Sequence, residues 1–399
     1  MATSPNMVKK IWLTFILGTI SATGPLSIDL YLPALPEMTT SLHTQTSLIQ
    51  LSLSACLIGL ALGQLISGPL SDKFGRKRPL MVGFFIFGIV SLLIAFSHSV
   101  YLLIFLRFIQ GLAGASGQVL SRAIASDMFS GSLLTRFYAM LSAVNGIFPV
   151  ISPVIGGFMI RFVSWQGIFV LLAIIGFLLF VAIWLGIRET LPPEKRLHGD
   201  VVKSVGVMFD LLNDSKFVKL ILATGLAYGG LFSYISASSF VFQNFFRMSV
   251  SNFGLLYAIN GIGIAIGSAI PGLLATHFSE VAQTKFVLTS TLLTAIGLLL
   301  SSFFFNNLFI VIALVFLIVT QFGMIFTLTT SIIMNLSLKN SGSISALLGL
   351  SQNAIGGIMS PLVGLMGTGT YLPMATAIVG CIGISLVLFN TVRFKPIKD

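Results

Sequence analysis

The chain has 399 residues, of which 56% are hydrophobic and 8% charged, with 22 basic against 11 acidic side chains for a formal net charge of +11. A mean hydropathy of +1.02 excludes a water-soluble domain, which at this size would expose large apolar patches. Long continuous apolar runs, in place of short alternating ones, select helices over a barrel, because a helix satisfies its own backbone hydrogen bonds in lipid.

The expected fold is an all-α membrane protein with twelve transmembrane helices, at 11–35, 47–71, 79–96, 101–121, 136–160, 165–187, 217–243, 251–276, 286–304, 308–334, 343–366 and 371–390. The first span follows Lys9 and Lys10, exceeds signal-peptide length and lacks a small-residue cleavage site, so it is read as retained. Of the 22 basic residues, 19 fall in loops on the side of the N-terminus and two, Arg161 and Arg247, on the other side; Arg107 lies within a span. That bias puts both termini in the cytoplasm. The positive charge therefore reports topology and contact with anionic lipid, and nucleic acid is not an expected partner.

The polar segment 188–216 separates an N-terminal bundle, 1–187, from a C-terminal bundle, 217–399. Asn145–Gly156 aligns with Asn353–Gly364 at an offset of 208, with identities at Asn, Ile, Ser, Pro and Gly, and the same offset carries Asp72 to Glu280 and Lys77 to Lys285. One offset serving two regions points to a duplicated six-helix unit, and two such halves around a midplane cavity form a transporter architecture. Cys56 and Cys381 lie within spans without metal-ligand spacing, and His43, His98, His198 and His277 sit at span ends or in loops. No HExxH, CxxC or GxSxG occurs, and no ring of like charges suited to a channel, so neither an enzyme nor a pore is expected.

Asp29 and Arg107 are the two obvious charges that stand well inside spans. An ionisable group in hydrocarbon costs several kcal/mol unless it is paired or lines a wet cavity, which marks it as functional by default. Asp29 lies six residues before the expected boundary at Leu35, and Arg107 six residues after the one at Tyr101. At about 1.5 Å per residue both are about 9 Å deep, so the two can meet. Movement of the guanidinium relative to the acid would switch its proton affinity, as a proton carrier requires. A static ion pair is the competing reading, and buried pairs fill that role poorly because desolvation offsets their attraction.

Gly68–Arg78 reads GPLSDKFGRKR. Gly68 is expected to permit close helix approach, Asp72 to accept from a helix N-terminus or an Arg, and Gly75 to allow a tight turn. Arg76, Lys77 and Arg78 also set topology. Asn145–Gly157, NGIFPVISPVIGG, suits a bending gate. Pro149 and Pro153 each remove a backbone hydrogen bond, while Gly156 and Gly157 let a neighbour pack close. Polar and aromatic groups within otherwise apolar helices are cavity candidates: Tyr31, Gln118, Asn145, Tyr234, Phe240, Gln243, Asn260, Gln321, Gln352 and Asn353. Each could instead bond helix to helix. Arg122 and Asp127 are read as a solvated helix end, with a second functional cluster as the alternative.

The Gly68–Arg78 loop resembles the cytoplasmic signature loop of the major facilitator superfamily. Leu106–Ala115 (LRFIQGLAGA) is similar to the fourth-helix motif of its proton-coupled members, and Asn145–Gly157 to the fifth-helix motif of the drug:proton antiporters, with Ser152 in place of the common Gly. Ser27–Pro36 (SIDLYLPALP), Ser121–Asp127 (SRAIASD) and Phe232–Gln243 (FSYISASSFVFQ) resemble the bicyclomycin/chloramphenicol-resistance subfamily. The resemblance implies a loop latch holding the two halves together and an Arg tied to proton transfer. Some relatives carry a second acid two turns earlier, where Ser21 stands here. It implies proton-driven export of neutral or monocationic amphiphilic drugs, without prosthetic group, by a monomer in the bacterial cytoplasmic membrane. An alternative keeps fold and coupling but makes the cargo an endogenous metabolite, peptide or metallophore.

Overall fold

The computed structural model describes residues 7–129, 137, 147–148, 150–196, 210–336, 341–367 and 369–393. Among them eleven helices are long and apolar enough to cross a membrane, and Val150–Met159 is a shorter apolar helix within the fifth expected span. The helices are α1 Met7–Asp29, α2 Leu35–Ser41, α3 Thr46–Phe74, α4 Lys77–Ala95, α5 Val100–Met128, α6 Val150–Met159, α7 Trp165–Gly186, α8 Ser215–Ser239, α9 Val250–Leu274, α10 Glu280–Phe304, α11 Leu308–Met334, α12 Ser341–Leu365 and α13 Leu372–Asn390. No strand occurs among the described residues.

The first span differs from the single helix expected over 11–35. α1 stops at Asp29, a 3₁₀ turn covers Leu32–Ala34, and α2 continues to Ser41. Pro33 explains the break, since it lacks the amide donor that would bond to the Asp29 carbonyl four residues earlier and its ring crowds that carbonyl. The apolar segment thus reaches Ser41, and Asp29 sits twelve residues from its end, at a helix break. The seventh span repeats the device: after Ser239 it winds into a π-helical turn, Phe240–Phe245. Leu32, which opens the 3₁₀ turn, and Phe240, which opens the π turn, stand at the offset of 208.

That offset does not hold throughout. Val100 and Leu308 open helices 208 residues apart, and Trp165 and Leu372 207 apart, whereas Thr46 and Val250 differ by 204 and Lys77 and Glu280 by 203. α10 has 25 residues against 19 in α4. Asp72 lies in the last turn of α3 while Glu280 opens α10, so the expected Asp72–Glu280 correspondence is a register coincidence. Glu280 instead accepts from Ser331 Oγ at 2.6 Å.

Contacts gather Met1–Met38 with Ala55–Asp200, and Thr39–Ser54 with Val201–Asp399. In the first unit α3 and α5 meet at glycines. A Cβ on Gly59 would fall on the Phe108 carbonyl, one on Gly63 on Leu112 and Ala115, and one on Gly111 on the Cys56 carbonyl. Lipid provides no hydrophobic drive between helices, so such close backbone approach supplies the packing energy. Gly117 meets Ile20 in the same way, and Gly156 meets Leu30 beside the first-span break. The close approach expected at Gly68 is absent: the nearest atom to a Cβ there is Val119 Cγ1 at 3.9 Å. Gly68 is half-buried at the end of α3, one turn beyond the glycines that make the crossing.

The second unit uses the same device, with Gly267 of α9 on the Thr320 carbonyl and Gly323 of α11 on the Ile264 carbonyl. The first turns of α3 belong to this unit. Gln50 Nε2 donates to the Ser236 carbonyl at 2.9 Å, and Ser360 Oγ donates to the Gln50 carbonyl at 3.2 Å.

Candidate functional site

The helix break puts Asp29 at the C-terminus of α1 with 7% of its surface exposed; Arg107, on the face of α5 that packs on α1, is 0% exposed. Arg107 Nη1 donates to the Ser27 carbonyl at 3.1 Å and to Gln110 Oε1. Gln110 Nε2 donates to Ser91 Oγ at 2.6 Å, and that hydroxyl to the Phe87 carbonyl at 2.6 Å. A chain of polar groups therefore braces the cation from α5 to α4. The guanidinium carbon stands 4.4 Å from the Tyr31 ring centroid and 5.7 Å from that of Phe169, and the two rings are 5.5 Å apart. Cation–π contact gains weight when water is excluded.

The expected meeting of Arg107 with Asp29 is not among the contacts of the guanidinium. Its Nε and Nη2 are buried without a hydrogen-bond partner among the described residues, which costs free energy until an acceptor arrives. Tyr31, a cavity candidate by sequence, is fully buried against Arg107 and belongs to this cluster. The matching positions in the second half, Ala237 and Val315, are buried and apolar, so the charged site has no copy.

A second charged cluster forms at the Gly68–Arg78 loop. Arg76 Nη1 binds Asp72 Oδ1 at 2.5 Å and Ser71 Oγ at 2.7 Å, and its Nε binds Asp127 Oδ2 at 3.0 Å. Asp127, exposed at the end of α5, also accepts from Thr190 Oγ1 at 3.0 Å and so belongs to the cluster as well. Burial alone would lower the Arg76 pKa, but hydrogen bonds and charge from Asp127 and Asp72 outweigh it and hold it above its ordinary value. Glu189, after α7, accepts from the backbone amides of Arg76 at 2.8 Å and Lys77 at 3.2 Å, capping the positive end of α4. Burial pushes the Glu189 carboxyl up, but the amides of Leu191, Arg76, Lys77 and Thr190 together bring it below its ordinary value. Lys77 Nζ reaches the Trp184 carbonyl near the end of α7 at 2.7 Å. Gly75 makes the connection with φ +89°, and a Cβ there would strike the Glu189 carboxylate. Only glycine adopts that backbone cheaply.

The other cavity candidates fall into separate places. Gln118 Oε1 accepts from Gln64 Nε2 at 2.7 Å, linking α5 to α3. Tyr234 Oη accepts from Asn260 Nδ2 at 2.7 Å while stacking on Tyr257 at 6.1 Å, which joins α8 to α9. Phe240 and Gln243 lie in the π turn, the first buried and the second half-buried. Gln321, Gln352 and Asn353 are half-buried on α11 and α12. Pro153, Gly156 and Gly157 are buried in α6, whereas Asn145 and Pro149 lie outside the described residues.

Sequence reasoning missed Gln110, Ser91, Phe169 and Glu189. Gln110 was legible, one helical turn after Arg107 on the same face. Glu189 had no local signal, because its partner Arg76 lies 113 residues away.

Eleven helices long and apolar enough to cross a membrane, with polar clusters enclosed among them, describe a polytopic membrane protein. The comparisons agree. The family model of the Major Facilitator Superfamily matches residues 15–361, and the chain belongs to that superfamily. It is 38% identical over 400 residues, 98% of each chain, to the MFS-type transporter YdgK of Bacillus subtilis (strain 168). It is 26% identical over 383 residues, 96% of each chain, to a bicyclomycin resistance protein homolog of Haemophilus influenzae. In fold it resembles a bacterial homolog of the human lysosomal transporter Spinster, with a TM-score of 0.77 at 15% identity, covering 98% of this chain and 100% of that one.

Proposed function

We propose that the chain exports small amphiphilic, drug-like solutes in exchange for protons by alternating access, with Asp29 carrying the proton and Arg107 modulating its affinity. The observation that carries this reading is the seclusion of both groups within one unit, Asp29 at 7% exposure and Arg107 at 0%. Two guanidinium nitrogens without a partner among the described residues leave Arg107 able to take a new acceptor at little loss. Similarity to a bicyclomycin resistance protein homolog supports a drug as cargo. Tyr234, Asn260, Phe240, Gln243, Gln118, Gln321, Gln352 and Asn353 supply the directional and aromatic contacts of a permissive cavity. Both termini and the 188–216 linker are assigned to the cytoplasmic face of a bacterial inner membrane.

One acid implies one proton per cycle. Each charge moved is worth about 2.3 kcal/mol per 100 mV and each pH unit about 1.4 kcal/mol. Exchange for a neutral solute uses both, a monocation uses only the pH gradient, and a dication opposes the voltage. The test is efflux from inverted vesicles energised by a pH gradient, with a sodium gradient as the control. Asp29→Asn abolishes uphill transport while substrate binding persists and loses its pH dependence; continued pumping on a pH gradient would overturn the assignment.

A further inference from the structure

The first unit holds a groove of about 330 Å³, lined from three helices by Ile66, Ser67, Leu70 and Phe74 of α3, Arg78, Pro79, Val82, Gly83 and Ile86 of α4, and Leu112, Ala113 and Ser116 of α5. Ile66, Leu70, Phe74, Val82 and Ile86 are all exposed large apolar side chains, so the groove is a cleft in an exposed apolar surface of the unit. Its polar end is the basic loop. Of the four basic side chains there, two are already engaged, Arg76 by Asp72 and Asp127 and Lys77 by the Trp184 carbonyl. Arg78 lines the groove, is exposed and has no acidic partner among the described residues. Lys73 is exposed too, with its ammonium 5.4 Å from the ring centroid of Phe74, which itself lines the groove.

We propose that this groove binds one acyl chain of an anionic phospholipid, with the phosphate seated on Arg78 and Lys73. An apolar slot that ends in two uncompensated cations matches the two parts of such a lipid, and neither part alone would fill it. The acyl chain gains by replacing loose annular contacts with a fitted cleft, and the anionic headgroup gains the attraction that each basic residue exerts at a membrane surface. In the loop cluster beside it Asp72 and Asp127 pair with Arg76 and Glu189 caps the start of α4, and none of the three forms an ion pair with Arg78 or Lys73. The proposal is independent of proton coupling.

The experiment is native mass spectrometry of the full chain purified in detergent, titrated with phosphatidylglycerol or with phosphatidylcholine of identical acyl chains. One tight phosphatidylglycerol per chain is expected, with phosphatidylcholine weaker. Arg78→Gln should weaken phosphatidylglycerol by about fivefold, the weight one basic residue carries at an anionic surface, while leaving phosphatidylcholine unchanged. Leu70→Trp, at a lipid-exposed position where a larger ring occupies the cleft without touching the core, should weaken both. Equal binding of the two lipids, an Arg78→Gln chain that binds phosphatidylglycerol like the parent, a Leu70→Trp chain that keeps the tight site, or displacement of the lipid by inorganic phosphate would each overturn the proposal.

Discussion

The Arg76–Asp127 contact allows a quantitative test of the loop cluster. Arg76 is 12% exposed and Asp127 19%, and their hydrogen bond is 3.0 Å long. A fully solvated pair would contribute about 0.2–1 kcal/mol and a well-desolvated hydrogen bond between charged groups about 1.5–3 kcal/mol, so this one lies at about 1–2 kcal/mol. The Asp72 pair is shorter, but its carboxylate is 35% exposed and stands one helical turn from Arg76, so it should contribute less, about 0.5 kcal/mol. Unfolding free energies of the purified chain in mixed micelles would be measured for the parent, Arg76→Gln, Asp127→Asn and the double variant. The expected result is that each single change costs about 1–2 kcal/mol and that the double change costs little more than Arg76→Gln alone. Asp72→Asn should be the milder acid variant. Additivity of Arg76→Gln and Asp127→Asn within about 0.5 kcal/mol would refute the coupling.

Three further outcomes follow from named contacts. Gly111→Ala places a methyl on the Cys56 carbonyl and should cost about 1–3 kcal/mol in the same assay, whereas Gly68→Ala meets nothing nearer than 3.9 Å and should be neutral or stabilising by up to about 1 kcal/mol. Glu189 has a pKa held below its ordinary 4.5, so its contribution is complete above that value and is lost as pH falls through the lower, folded-state pKa. In Glu189→Gln the acid limb of the stability profile below pH 4.5 should flatten, with no change of slope at higher pH. Tyr234→Phe deprives the Asn260 amide of its acceptor and should cost about 1 kcal/mol; an unchanged unfolding free energy would show that the pair carries no helix-linking energy.

Composition and long apolar runs determined the class of this protein and the places of most spans, because lipid leaves the backbone no alternative to helices of bilayer length. The ion-accepting loop was legible as well: Asp72, Gly75 and Arg76 lie within five residues, where spacing alone dictates a turn and a local ion pair. The tertiary structure decided what local spacing cannot. Asp29 and Arg107 count to equal depth along straight helices, yet the first helix breaks after Asp29 and the guanidinium turns to Tyr31, Phe169, Ser27 and Gln110. Gly68 reads like any packing glycine, but crossing geometry gives that role to Gly59, Gly63 and Gly111. Glu189 enters the loop cluster only because α7 ends beside the start of α4. A helix's sequence specifies its length and its apolar faces, while the partner of a buried polar group depends on which helix crosses there and on how closely the two backbones approach.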